Sequence, residues 1–230
     1  MKTVLLFDVD GTLVTTGGAG RRALVRALAH WGASDGASFS FAGLTDRLII
    51  RRSLAQAGMD VSETLIDRVI AAYLEVLADE VAATPAPDYR LLPGMLEALD
   101  ALAGAAHVAV GLGTGNVERG ARIKLERVGV AERFAFGGFG CDAEDRAELL
   151  RIGAERGAAR LGAARDQCRV VVIGDTPLDI KAARAIGAEA FALAAGGTTL
   201  EELATHHPEH LYPSLAAPGA RAALLGDTPR

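Results

Sequence analysis

The chain predicts an α/β protein built on a doubly wound parallel sheet, with a small all-helical segment inserted after the first strand. Three observations carry this expectation. Short apolar runs recur at 4–7, 107–112, 169–173 and 189–193, and stretches of helical periodicity lie between them. Strand alternating with helix gives a parallel sheet covered by helices. Polar residues sit at the ends of these runs, Asp8, Thr114 and Asp175 among them, where open α/β sheets bind their ligands. Finally, 16–82 is helical in pattern throughout, so it hangs off the loop after the first strand and can lie over the crevice as a lid. The expected organisation is an α/β core of 1–15 and 84–230 with a helical cap of 16–83.

Each element has its own local reason. Val4-Leu5-Leu6-Phe7 suits a strand buried on both faces. Leu24, Ala27, Leu28 and Trp31 share one helix face. A Gly/Ser/Ala-rich loop follows over 32–43, then helices over 45–57 and 62–82, the first closed by Gly58. Residues 84–92 carry Pro85 and Pro87 ahead of Pro93-Gly94 and read as a connector back to the core. Beyond it come a helix over 95–103, the strand at 107–112, a helix over 117–128 ended by Gly129 and a short strand over 133–136. A helix over 143–161 precedes the clearest buried strand, Val170-Val171-Val172-Ile173. Pro177 opens a helix that Gly187 stops, a last strand spans 189–193, and the Ala/Gly/Pro-rich tail after Pro213 is expected to fray.

Composition narrows the function classes. The 230 residues are 50% hydrophobic and 23% charged, an ordinary globular balance. A net charge of -5 argues against a nucleic-acid binder that lives on phosphate contacts. No apolar run approaches the roughly 18 residues of a membrane span. The sequence enters its first strand without a charged, apolar-cored leader, and Cys141 and Cys168 form no Cys-x-x-Cys, so a cytoplasmic setting is expected.

The chemistry is concentrated in Asp8-Val9-Asp10-Gly11-Thr12. Two carboxylates two residues apart repel unless a cation offsets them. A hard divalent ion held by oxygen ligands is the simplest answer, and Mg²⁺ fits. Gly11 permits a sharp turn and Thr12 offers a hydroxyl. Together with Gly111-Leu112-Gly113-Thr114-Gly115-Asn116 and Gly174-Asp175-Thr176-Pro177-Leu178-Asp179, this motif resembles the haloacid dehalogenase-like hydrolase superfamily over almost the whole chain. The resemblance is to the branch containing phosphoglycolate phosphatase and β-phosphoglucomutase, whose helical cap lies between the first two motifs.

That resemblance implies a Mg²⁺-dependent phosphatase acting on a small phosphorylated metabolite. Asp8 would be the nucleophile and Asp10 the acid and base. The metal would be held by the Asp8 carboxylate, the Asp10 backbone carbonyl and Asp175. Asp10 favours a phosphatase over a dehalogenase, because halide leaves without a proton. Thr114, Gly115 and Asn116 would receive phosphate at the start of a helix. Thr176, Pro177 and Asp179 read as a helix cap, and Asp179 also joins the metal-side set by orienting metal water or a basic partner.

The family's third-motif lysine is missing between Cys141 and Leu150. Arg146 is the expected substitute, keeping the charge with bidentate reach. Lys124 and Lys181 are the other candidates, both expected to face solvent. Arg47, within Thr45-Asp46-Arg47, is the candidate substrate contact from the cap, with Arg51-Arg52 beside it. His206-His207-Pro208-Glu209-His210 reads as a solvated loop, and Gly196-Gly197-Thr198 as a turn before a helix capped by Thr198 or Thr199. A phosphosugar mutase and a non-catalytic phosphate-binding protein are the alternatives.

Overall fold

A computed structural model describes residues 1–226. Six strands form one parallel sheet in the order β5-β4-β1-β6-β7-β8. They are β1 (Lys2–Phe7), β4 (Val108–Thr114), β5 (Gly137–Phe139), β6 (Cys168–Gly174), β7 (Glu189–Leu193) and β8 (His210–Tyr212). β1 lies between β4 and β6, with Leu6 opposite Gly111 on one side and Val172 on the other. The chain first builds outward through β4 to β5 and then crosses to β6. The end of β1 is therefore the point where the strand order reverses, and a crevice opens there.

Alternation along the strands feeds two apolar layers. Leu5, Phe7, Val171 and Ile173 point to α4 (Met95–Leu102), α5 (Glu118–Glu126) and α9 (Ala220–Leu225). Val4, Leu6, Val170 and Val172 point to α6 (Arg146–Arg160) and α7 (Pro177–Ala185). Val4 through Phe7 have no solvent exposure, as expected for a strand covered on both faces.

The helices α1 (Ala19–Ala29), α2 (Asp46–Gln56) and α3 (Glu63–Ala83) pack around a separate apolar cluster containing Leu28, Ile50, Leu54, Ile66 and Tyr73. Thr45 and Ser62 cap α2 and α3, each accepting a hydrogen bond from the backbone N–H three residues on. Val117 and Ile123 at the α5 side join the same cluster.

Several expectations needed correction. Residues 133–136 are not a strand. A 3-10 turn occupies Ala131–Arg133, and the strand falls on Gly137–Phe139. A Cβ on Gly138 would collide with the Leu149 carbonyl of α6, so close helix packing selects glycine where strand propensity argues against it. The connector 84–92 contains β3 (Tyr89–Leu91), paired antiparallel with β2 (Val14–Thr16). Three-residue strands leave too short a pattern to recognise. The tail does not fray after Pro213: Leu215, Ala220, Ala223 and Leu224 are buried, and only 227–230 of that prediction lie outside the described residues. In the histidine-rich stretch, His206 and His207 are exposed, but His210 lies on β8 with its ring 5.3 Å from that of Phe191. The turn at 196–198 precedes α8 (Leu200–Ala204), capped by Thr199. No helix among the described residues is long and apolar enough to cross a membrane. Cys141 and Cys168 are free thiols.

Candidate active site

Three strand ends supply the first wall of the site. Asp8 follows β1, its N–H bonded to the Ile173 carbonyl of β6. Thr114 ends β4, and Asp175 follows β6. One carboxylate oxygen from each of Asp8, Asp175 and Asp179 lies within 4.8 Å of the others, and all three residues are buried. The cavity bordered by Asp8 and Asp175 measures about 260 Å³ and extends past Asp10 and Asn116 to Asp46 and Tyr73.

Arg146 opens α6 and is the cation among these carboxylates. Its Nη2 stands 3.1 Å from Asp8 Oδ2 and 2.5 Å from Asp179 Oδ1, and its Nε donates to the same Asp179 oxygen at 2.9 Å. Burial works against the guanidinium charge, but Asp179 and Asp8 hold it above its ordinary range. One guanidinium does not offset three buried carboxylates. Burial pushes Asp8 up to about 6, with Arg146 opposing and Asp179 adding to the rise. Burial, then Asp179 and Asp8, push Asp175 up to about 8. The Thr12 hydroxyl donates to Asp175 Oδ1 at 3.0 Å, and Gly11 and Gly196 wall the carboxylate so closely that a Cβ on either would collide with it.

This donor set fits a hard divalent cation: oxygen ligands, a shortfall of positive charge and space kept free of side chains. Asp8, Asp175 and Asp179 each bring a carboxylate oxygen into the group that could hold it. Asp179 holds both a helix cap and a basic partner. Its Oδ1 accepts twice from Arg146 and its Oδ2 accepts from the Thr176 N–H and hydroxyl. Four donors occupy the lone-pair positions of its carboxylate, so Asp179 caps α7 and anchors Arg146 within the same carboxylate cluster.

The second wall is organised around Asp10, whose side chain is 42% exposed toward the cavity. Asp10 Oδ2 accepts from Asn116 Nδ2 at 2.8 Å and from Lys124 Nζ at 2.6 Å. Asn116 Nδ2 also donates to Thr114 Oγ1 at 2.9 Å, and Asn116 Oδ1 accepts from Lys124 Nζ at 2.5 Å. Thr114 Oγ1 accepts the Asn116 N–H as well, and its hydroxyl holds the Asp8 carboxyl down against burial.

Lys124 therefore overturns the expectation of a solvent-facing side chain: it is 3% exposed. The signal was present. Lys124 lies three residues after Ala121 and seven after Val117, on the apolar stripe of α5, where burial is the rule. Lys181, by contrast, lies away from the carboxylates, beside a groove with Leu178.

The segment before α2 is clasped to the sheet rim. Asp46 donates its N–H to the Gly115 carbonyl at 2.8 Å and accepts from the Val117 N–H at 2.9 Å. A Cβ on Gly115 would collide with the Leu44 carbonyl, so the close approach this glycine allows is to the chain's own backbone. Arg146 Nη1 donates to the Gly43 carbonyl at 3.3 Å. Burial raises Asp46 to about 6, with Lys124 and the Val117 N–H opposing.

Arg47 is not where a substrate contact was expected. It pairs with Asp67 at 2.7 Å and Glu63 at 2.5 Å and does not border the cavity. Arg51 bridges Glu63 and Glu144, while Arg52 is exposed. Carboxylates reached only through tertiary folding claimed these arginines. Tyr73, which sequence reasoning used only as a helix residue, is 1% exposed on the cavity wall, and no hydrogen bond to its hydroxyl forms among the described residues.

Comparison with known proteins identifies the family and the fold. The haloacid dehalogenase-like hydrolase family model matches residues 5–184, and a related HAD-hydrolase-like model matches 152–218. A phosphoglycolate phosphatase of Mesorhizobium japonicum is 27% identical over 209 residues, covering 86% of this chain and 85% of that protein. The structure of CbbY from Rhodobacter sphaeroides in complex with phosphate superposes with a TM-score of 0.71 at 20% identity, covering 95% of this chain and 97% of that one. A β-phosphoglucomutase structure from Clostridium difficile gives 0.71 at 15% identity, covering 98% and 99%. At these identities the two structures bear on the fold alone.

Proposed function

Because the chain belongs to the haloacid dehalogenase-like hydrolase family, we propose that it is a Mg²⁺-dependent phosphomonoesterase with Asp8 as nucleophile. The observation that carries this reading is the different treatment of two carboxylates on one cavity. Asp8 is buried against Arg146, whereas Asp10 is held through Oδ2 alone and its side chain is 42% exposed. Such a division separates a nucleophile from a proton carrier.

In the proposed reaction an Asp8 oxygen attacks phosphorus as the bond to the leaving oxygen breaks. Protonated Asp10 delivers its proton to that leaving oxygen. Water then attacks the aspartyl-phosphate, Asp10 takes the water's proton, and Asp8 departs with phosphate formed. Arg146, Gly115 and Asn116 border the cavity where phosphoryl oxygens would lie, with the buried Thr114 hydroxyl holding Asn116 in place. Bound Mg²⁺ would supply charge neutralisation between the phosphoryl group and Asp8.

Residues 16–83 are read as a cap over the core of 1–15 and 84–230, supported by their own apolar cluster. The small cavity suits a small phosphorylated metabolite, in keeping with the phosphoglycolate phosphatase relative. The net charge of -5 weighs against nucleic-acid or anionic-membrane partners, and the free thiols suit a reducing cytoplasm. Two buried cations beside Asp8 and Asp10 favour catalysis over a phosphate sensor, whose appeal lay in the missing motif lysine.

Turnover of 4-nitrophenyl phosphate with and without Mg²⁺ tests the proposal. Activity should require the metal and vanish in EDTA. Absence of turnover at every Mg²⁺ concentration rejects it.

A further inference from the structure

Lys124 sits where a lysine is costly unless it is paired: 3% exposed, in the last turn of α5, beside an apolar cluster. Its ammonium meets Asp10 Oδ2 and Asn116 Oδ1 at 2.6 and 2.5 Å. Its own turn of helix is fixed by the Tyr89 hydroxyl, which donates to the Lys124 carbonyl at 2.9 Å. Opposite the ammonium lies Gly20 on α1, where an added Cβ would be 3.1 Å from Nζ. Three elements distant in sequence thus leave room for one ammonium group and aim it at one carboxylate oxygen.

The hydrogen-bond arithmetic singles out the purpose. Both donors, Lys124 Nζ and Asn116 Nδ2, converge on Oδ2 of Asp10. They fill the lone pairs of that oxygen and fix the plane of the carboxyl group. Oδ1 has no partner among the described residues and belongs to the side chain that borders the cavity. A proton on Asp10 is therefore confined to Oδ1. Asn116 is set by the same lysine: its oxygen must face the ammonium, so its amide nitrogen must face Asp10 and Thr114.

We propose that Lys124 is a positioning residue for proton transfer, locking Asp10 through Oδ2 and Asn116 so that Oδ1 alone delivers the proton to the leaving oxygen. The inference rests on Asp10 being the proton carrier of the function proposed above. It assigns to Lys124 a task separate from that of Arg146, which touches Asp8 and Asp179 instead.

The test exploits leaving-group chemistry. A poor leaving group such as an alkoxide needs the proton, whereas 2,4-dinitrophenolate hardly does. Measured as kcat/KM, which reports steps through departure of the leaving group, Lys124→Met should lose about 100-fold toward an alkyl phosphate. It should lose no more than about threefold toward 2,4-dinitrophenyl phosphate, since proton transfer contributes little there. In an Asp10→Asn background the same substitution should add nothing further toward the alkyl ester. Gly20→Ala, which crowds Nζ without removing it, should show the same selectivity in weaker form and decides the matter if Lys124→Met does not fold. Equal losses toward both esters in either variant, or a full additional loss in the Asp10→Asn background, overturn the proposal. A wild-type protein that hydrolyses neither ester sinks the phosphatase reading itself, which separates the two failures.

Discussion

The sheet rim and the helical segment 16–83 border the same cavity but hold their polar residues by different means. On the rim, position comes from backbone. Asp8, Thr114 and Asp175 stand at the ends of buried parallel strands, and glycines keep the space around Asp175 open. In the helical segment, position comes from side-chain pairing. Arg47 and Arg51 are held by Glu63, Asp67 and Glu144, and Asp46 by two backbone groups of the loop after β4. A strand end fixes a side chain with little help from its neighbours. A helix on top of a sheet needs contacts made one by one, each replaceable.

The comparison breaks most sharply at Asp8. Asp8→Asn should lower turnover by about 10⁴-fold or more, since loss of a nucleophile removes the covalent route. The variant's circular dichroism and melting should stay close to wild type. Substantial residual turnover would show that rim geometry alone does not define the nucleophile.

The junction between the regions comes next. Burial raises Asp46 to about 6, above the ordinary carboxylate value of 3.8. The folded protein then binds this proton more tightly than the unfolded chain does. Its contribution to stability is complete below pH 3.8 and is lost progressively as pH rises to about 6. Asp46→Asn should abolish that loss. Relative to the variant, wild type should lose about 2 kcal/mol between pH 4 and pH 7. Parallel stability–pH curves would mean that Asp46 is already charged at low pH when folded.

The smallest effects belong to the outer arginines. Arg51→Ala should cost about 1 kcal/mol or less, because its partners are partly solvated. Arg47→Ala should leave kcat/KM within about twofold of wild type. Denaturant midpoints and steady-state rates check both. A large loss of activity in Arg47→Ala would return that residue to the substrate site from which its ion pairs remove it.

The same contrast explains what could be read before folding. The strands at 4–7, 169–173 and 189–193 announce themselves through apolar runs, and Asp8 and Asp175 follow the first two closely in sequence. Arg146 could be anticipated only through the family resemblance, as the substitute for a lysine missing between Cys141 and Leu150. Lys124 was discounted because local expectation for a mid-helix lysine is solvent, although its neighbours on α5 are apolar. Arg47 was misread because Glu63 and Asp67 lie on another helix, and no local pattern reveals such pairing. Gly137–Phe139 and His210–Tyr212 were missed for a related reason: their strand character is conferred by the neighbours they pair with, not by their own composition.

Pairing of Val14–Thr16 with Tyr89–Leu91 has a consequence for how this architecture can change. The chain departs from and rejoins the sheet side by side, stitched at one spot, and every strand of the six-stranded sheet lies outside 17–88. Whatever occupies that interval can be exchanged for a module of another shape without re-registering a single rung of the main ladder. The stitch is a socket, and it lets a fixed reaction centre be fitted with different gatekeepers.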